Sequence, residues 1–200
     1  MLWLYSFSAC TTQNQYTELD TSAVVDSFPS QDLHLSRSTE AQYKWQKNNC
    51  PRGIPSPTLN ILNPNIVSKN FILLPESGLE TARLYNGDTL IIENTGCEYY
   101  VLVYTLKSYK IADNIVQDAS YWFGRSADLM LALQDSDVPF DMRNTSQSLK
   151  ELSGKRCGKM NQEYNLHSQG GMEHKAVLEN FGKLPGKGGY MKLKIFIGPL

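Results

Sequence analysis

Residues 80–107 constrain the fold more than any other stretch of the chain. Thr81-Ala82-Arg83-Leu84-Tyr85 runs into Asn86-Gly87, and Asp88-Thr89-Leu90-Ile91-Ile92 follows. An Asn-Gly pair tolerates positive φ at both central positions of a type I′ turn, so the two runs read as a β-hairpin. A second turn at Asn94-Thr95-Gly96 leads into a strand from Cys97 to Leu106. Val101 and Val103 lie on one side of that strand, and Leu102, Tyr104 and Leu106 on the other. Apolar residues on both faces predict a central strand covered on both sides. The three strands form an antiparallel meander over about 80–107.

Helical spacing follows. Ile111, Ile115, Ala119, Trp122, Leu129 and Leu133 recur at three- and four-residue steps, which predicts one helix with a buried stripe. Asp113, Asp118 and Asp128 would be its wet face. Asn144, Gln147 and Gly154 have the positions of an N-cap, its reciprocal partner and a C-terminal stop, predicting a short helix over 145–153. His174, Val177, Leu178 and Phe181 share one helical face. The C-terminal strand, about 190–197, alternates cleanly. Met191, Leu193, Ile195 and Ile197 point one way; Tyr190, Lys192, Lys194 and Phe196 point the other. Its lysines would discourage edge-to-edge pairing. Strands, then helices, then a returning strand predict an α+β fold: an antiparallel sheet packed with two to three helices.

The chain has 200 residues, 41% hydrophobic and 20% charged, which suits one domain with a tail. No apolar run reaches eighteen residues. Residues 11–57 are polar and then proline-punctuated (Pro51, Pro55, Pro57), so 10–57 reads as a tether and 58–200 as one globular domain. Tyr43 and Trp45 would be the first residues to dock. Residues 143–200 carry 10 Lys+Arg against 4 Asp+Glu, inside a chain of net charge -1. These basic residues are scattered and lack the aromatic interleaving of a nucleic-acid groove, so no nucleic-acid partner is expected.

The first residues are apolar and then small: Leu2-Trp3-Leu4-Tyr5-Ser6-Phe7-Ser8-Ala9-Cys10, with the wholly polar Thr11-Thr12-Gln13-Asn14-Gln15 next. The segment resembles the end of a bacterial lipoprotein signal. The resemblance covers about ten residues. It implies that 1–9 are a remnant of an export signal and that Cys10 takes the diacylglycerol. It further implies that the domain sits in the cell envelope, in the periplasm or at the cell surface, with the membrane as a partner through the lipid. A cytosolic chain with an apolar N-terminus is the rival. With Cys10 lipidated, Cys50, Cys97 and Cys157 remain, enough for one disulfide. Cys50 and Cys157 both read as loop residues and are the expected pair. Cys97 reads as a buried thiol at a strand start. Three reduced thiols in a reducing compartment are the alternative.

Catalytic and metal chemistry find little footing. Gly182-Lys183-Leu184-Pro185-Gly186-Lys187-Gly188 has three residues, where a phosphate loop has four, before Gly-Lys, and no Ser or Thr follows. His167, His174, Glu163, Glu173 and Cys157 lack the paired spacing of a zinc site, so no metal or cofactor is expected. No serine lies in a nucleophile-elbow motif. The tyrosines are more suggestive. Tyr99 and Tyr109 are the expected exposed pair, and with Lys192 and Lys194 they form the candidate interaction surface. The function expected is a non-enzymatic binding module with a protein partner, inhibitor-like or immunity-like by analogy of size and location. A cell-wall or glycan hydrolase using Asp, Glu or His is the alternative, and a lipid or small-ligand carrier the second alternative.

Overall fold

A computed structural model of the chain describes residues 40–42, 44–45, 50–154, 159–166 and 172–199. They form an α+β fold with a seven-stranded, wholly antiparallel sheet. The strands are β1 (Ile66–Leu73), β2 (Ser77–Leu84), β3 (Thr89–Thr95), β4 (Tyr100–Ser108), β5 (Glu163–Asn165), β6 (Glu173–Lys183) and β7 (Gly189–Gly198). Between β4 and β5 run two helices, α1 (Ala119–Ala132) and α2 (Met142–Gly154). The spatial order β1-β2-β3-β4-β7-β6-β5 places β4 at the centre. The meander expected at 80–107 is β2–β4, and the C-terminal strand is β7.

One sheet face is covered. Ala82, Leu90, Ile92, Leu102, Tyr104, Leu106, Met191, Leu193, Ile195, Ala176 and Leu178 point into it and are nearly or wholly inaccessible. Trp122, Phe123, Ala127, Leu129 and Met130 of α1 pack on them. The helices approach closely through small residues. The Ser146 and Ser153 hydroxyls on α2 donate to the α1 carbonyls of Ala127 (2.7 Å) and Ser120 (2.8 Å). Gly124 faces Ser153 within α1 and does not interrupt the helix.

Four expectations are corrected. The Asn86-Gly87 hairpin is real, but only Gly87 has positive φ (91°). The Gly87 N–H bonds the Leu84 carbonyl and the Leu84 N–H bonds that of Asp88, both at 2.9 Å. This is the three-residue hairpin loop with a left-handed glycine, not a type I′ turn. Second, α1 begins at Ala119 instead of Ile111. Asp118 caps it, accepting from the Ser120 N–H at 2.8 Å. Asp113, Asn114 and Asp118 favour turns over helix interior, yet Ile111 and Val116 still reach the core. Likewise α2 starts at Met142, capped by Asp141, which accepts from Arg143 (2.8 Å) and Asn144 (3.1 Å).

Third, 173–183 is strand, not helix. A bulge between Leu178 and Asn180 inserts one residue into β6. His174 and Leu178 therefore share the covered face with Phe181, and their spacing of four and three imitates a helical stripe. Fourth, β7 is no edge strand; it pairs with β4 on one side and β6 on the other.

Candidate functional site

The covered face is divided between two kinds of cover. Over β4, β7 and β6 lie the helices. Over β1–β3 lies an irregular strap, residues 50–63, fixed by groups the sheet sends up to it. An irregular strap cannot satisfy its own backbone, so the sheet must supply partners. Glu80 on β2 is 2% exposed and meets the strap's N–H donors at Thr58 and Leu59, while Lys69 and Asn94 meet the carbonyls of Leu59 and Ser56. The Glu80 Oε2 accepts from the Thr58 N–H (2.7 Å), the Thr58 hydroxyl (3.0 Å) and the Leu59 N–H (3.1 Å). Its Oε1 meets the Lys69 ammonium at 3.1 Å. Arg52 donates to the Thr95 carbonyl and the Asn94 side chain, and its guanidinium lies over the Tyr100 ring at 4.4 Å. Gly78 is required beneath, because a Cβ there would come within 2.9 Å of the Phe71 ring and of Pro55.

The strap is also held covalently. Cys50 is bridged to Cys97, with the Cα atoms 5.1 Å apart. The expected bridge from Cys50 to Cys157 is therefore corrected: Cys50 is already bonded, and Cys157 lies outside the described residues. Cys97 sits in the turn between β3 and β4, not at the strand start, so its sulfur reaches the strap. Residues 50–57, expected as tether, run along the sheet as the first part of the strap. Trp45 is docked as expected, 7% exposed, with its indole N–H on the Leu74 carbonyl at 3.1 Å. Tyr43 lies outside the described residues.

Burial dominates the titration of this region. It pushes the Tyr100 phenol up, against the opposing pull of Arg52 and the Asn94 amide. It pushes Tyr104, 0% exposed, much further up. It lowers Arg52, against the pull of Tyr100. Glu80, surrounded by donors from the strap and by Lys69, clamps the strap to the sheet.

The opposite face is different. Among the described residues no helix or strap lies on it. A groove of about 460 Å³ crosses it, lined by Tyr99, Val101, Asn161, Glu163, Val177, Glu179, Lys194 and Phe196. Val101, Val177 and Phe196 are half-buried and form its apolar floor. Paired charges frame it. Glu179 holds Lys192 (3.2 Å) and Lys194 (3.9 Å), while Lys175 holds Glu173 (2.9 Å) and Glu163 (3.4 Å). The hydrogen bond to Glu173 raises the Lys175 pKa, against burial, with Glu163 helping. Both Lys175 and Lys194 hold their ammoniums just under 6 Å from the Phe196 ring. Three lysines of the basic last third, Lys175, Lys192 and Lys194, are thus paired with its own glutamates, and Lys183 reaches Asp113 across the chain at 2.9 Å.

Of the candidate surface, Tyr99 and Lys194 line this groove, and Lys192 stands beside it through Glu179. Tyr109 does not join them. It lies just beyond the other end of β4, about 30 Å away by strand rise. Cys10 lies outside the described residues. Val177 and Glu179 were hidden because 174–181 has helical spacing. Phe196 was legible, since the β7 alternation sets it on the same side as Lys192 and Lys194.

The hydrolase and carrier readings meet other geometry. Asp128 lines a separate 190 Å³ pocket with Tyr85, Asn86 and the Asp88–Arg125 ion pair (2.9 Å). Asp135 accepts from the Asn63 amide at 2.7 Å. His174 is buried against Phe140, ring centroids 5.1 Å apart. These three groups have different neighbours, and the pocket carries no lysine at its mouth. Among the described residues no three His, Cys, Asp or Glu side chains are placed to hold a metal ion. No described helix is long and apolar enough to cross a membrane. No protein-family model matches the chain, and neither a curated protein nor a solved structure is significantly similar to it.

Proposed function

We propose that the chain is a non-enzymatic binding module that docks a partner protein on its open sheet face and is held in the bacterial envelope through a lipid on Cys10. One observation carries the docking reading: an apolar floor of Val101, Val177 and Phe196 is left uncovered by the described residues beside exposed Tyr99, inside a frame of already paired charges. Those pairs leave little net field, so the partner is selected by shape and apolar contact more than by charge. Tyr99 and Phe196 supply contact area at low entropic cost, as interface anchors do. The envelope reading draws on the signal-like segment and on the Cys50–Cys97 disulfide, a bond suited to an oxidising compartment.

The test is made in the native host with the genomic start intact. The intact mass should show a chain beginning at Cys10 with added acyl mass, and Cys10→Ala should release the protein from the membrane fraction. A partner recovered with the wild type should bind about 30-fold more weakly to Tyr99→Ala or Phe196→Ala. It should bind equally to Lys150→Glu, on the exposed side of α2. Equal loss from all three substitutions would remove the open face as the docking site. An unacylated chain starting at Met1 would remove the anchor.

A further inference from the structure

We infer that the outer edge of β1 is a self-association site, where β1 pairs antiparallel with β1 of a second copy across a two-fold axis at Asn70. The argument begins with backbone direction. The Leu74 N–H bonds the Ser77 carbonyl at 2.7 Å, and the Tyr85 N–H bonds the Asn65 carbonyl at 2.9 Å. In an antiparallel ladder, hydrogen-bonded and non-hydrogen-bonded pairs alternate. With Leu74 turned inward, Ile72, Asn70 and Ser68 also aim their backbone groups at β2, through the register Ile72↔Leu79, Asn70↔Thr81 and Ser68↔Arg83. The bulge between Ile66 and Ser68 restores agreement with Asn65. Lys69, Phe71 and Leu73 therefore aim N–H and C=O away from the sheet, and no described strand meets them.

Chains that leave an edge open usually blunt it with proline, outward charge, shortness or cover. The far edge is blunted: β5 has three residues. β1 has eight, contains no proline, and its one lysine turns inward to Glu80. At its C-terminal end Ala41 and Trp45 pack on Leu73, and Phe71 packs against the same cluster from the covered face while its backbone groups stay turned outward. The usable edge is thus about Val67–Phe71.

A second copy fits this edge in one register. Centring on Asn70 pairs Lys69 with Phe71 of the other copy, twice, and spends the outward backbone groups of both residues in each copy. Side-chain faces stay matched, because the pairing joins odd to odd and even to even positions. Asn70 faces its own copy, Ser68 faces Ile72, and no like charges meet. Because the β5 edge is too short to continue the sheet, the pairing closes as a dimer instead of propagating as a filament. The two open faces then lie on one side of a fourteen-stranded sheet.

The experiment uses the full chain with its disulfide intact. Sedimentation over a wide concentration range should show a reversible monomer–dimer equilibrium. Asn70→Lys sets two ammoniums face to face at the axis and should weaken it about tenfold, with circular dichroism and Tm unchanged. Asn70→Cys supplies the second arm. Opposed Cα atoms at a non-hydrogen-bonded pair lie about 4.5 Å apart, within disulfide reach, so this variant should cross-link to a covalent dimer under mild oxidation. Thr81→Cys, one strand further in on the same face, should cross-link no more than the wild type. A monomer at every concentration, a dimer indifferent to Asn70→Lys, or equal cross-linking by Thr81→Cys overturns the inference. So does Asn70→Cys trapped in cells on a foreign protein and never on itself, which would give the edge to that partner's strand.

Discussion

The two halves of the covered face solve the same problem by different means. Under the helices the sheet is nearly all apolar, because a helix satisfies its own backbone and asks only for packing. Under the strap the sheet presents Glu80, Asn94, Lys69 and Tyr100, because fourteen residues of irregular chain bring donors and acceptors that must be met. The helical half is held by shape and the strap half by specific polar bonds and one covalent bond. The two should therefore fail differently.

The largest effect is expected from the helical half. Trp122 is 0% exposed, and its indole N–H bonds the Val116 carbonyl at 2.8 Å. Trp122→Ala should cost about 3–5 kcal/mol by lost burial and the cavity left behind. Chemical denaturation would measure it, and the loss should be cooperative, with amides of α1, β4 and β7 all less protected. A cost under about 1 kcal/mol would mean the helices rest loosely on the sheet, and the contrast between the halves would fall.

Next comes the disulfide. Opening a bond that spans 47 positions should cost about 2–4 kcal/mol, most of it from freeing the unfolded chain. Comparing the oxidised protein with a Cys50→Ser, Cys97→Ser double variant gives the number. Hydrogen exchange sharpens the comparison: the Thr58 and Leu59 amides on Glu80 should lose more protection than those of α1. Uniform loss across both halves would show that the strap is not a separate unit of stability.

This division also decides what was legible. The helical half announces itself in periodicity: Leu102, Tyr104 and Leu106, or Met191 to Ile197, point where alternation says they should. The strap half does not. Glu80 precedes a hairpin and looks like a surface charge; only a fold that lays Thr58 and Leu59 over it makes it a clamp. β1 was missed because Lys69 occupies an inward position and its bulge breaks the alternation. β6 was misread because its bulge converts a period of two into an apparent helical step. The groove was half visible for the same reason. Its β7 wall, Lys194 and Phe196, alternates undisturbed, while its β6 wall, Val177 and Glu179, sits at the bulge. Cys97 was misplaced by one local boundary, taken as strand start when it belongs to the turn.

The smallest effect lies where the two covers meet, and its sign is opposite. Tyr104 projects from the central strand, 0% exposed, and its hydroxyl has no hydrogen-bond partner among the described residues. Burial, with Tyr100 and Glu80 adding to it, holds its pKa well above the ordinary tyrosine value. A raised folded pKa means that the fold favours the neutral phenol. That stabilisation is complete below the unfolded-state value of about 10 and is lost as pH rises from there through the folded value. Tyr100, shifted the same way, adds to the effect. The wild type should therefore lose stability steeply above about pH 10, and Tyr104→Phe should flatten that limb. At pH 7 the same substitution should be neutral or stabilising by up to about 1 kcal/mol, since it removes a buried hydroxyl that bonds nothing. Thermal melts across pH 7–11 would read both. A Tyr104→Phe variant that is clearly less stable at pH 7 would mean the hydroxyl is bonded in solution, and that the polar network of the strap reaches the central strand.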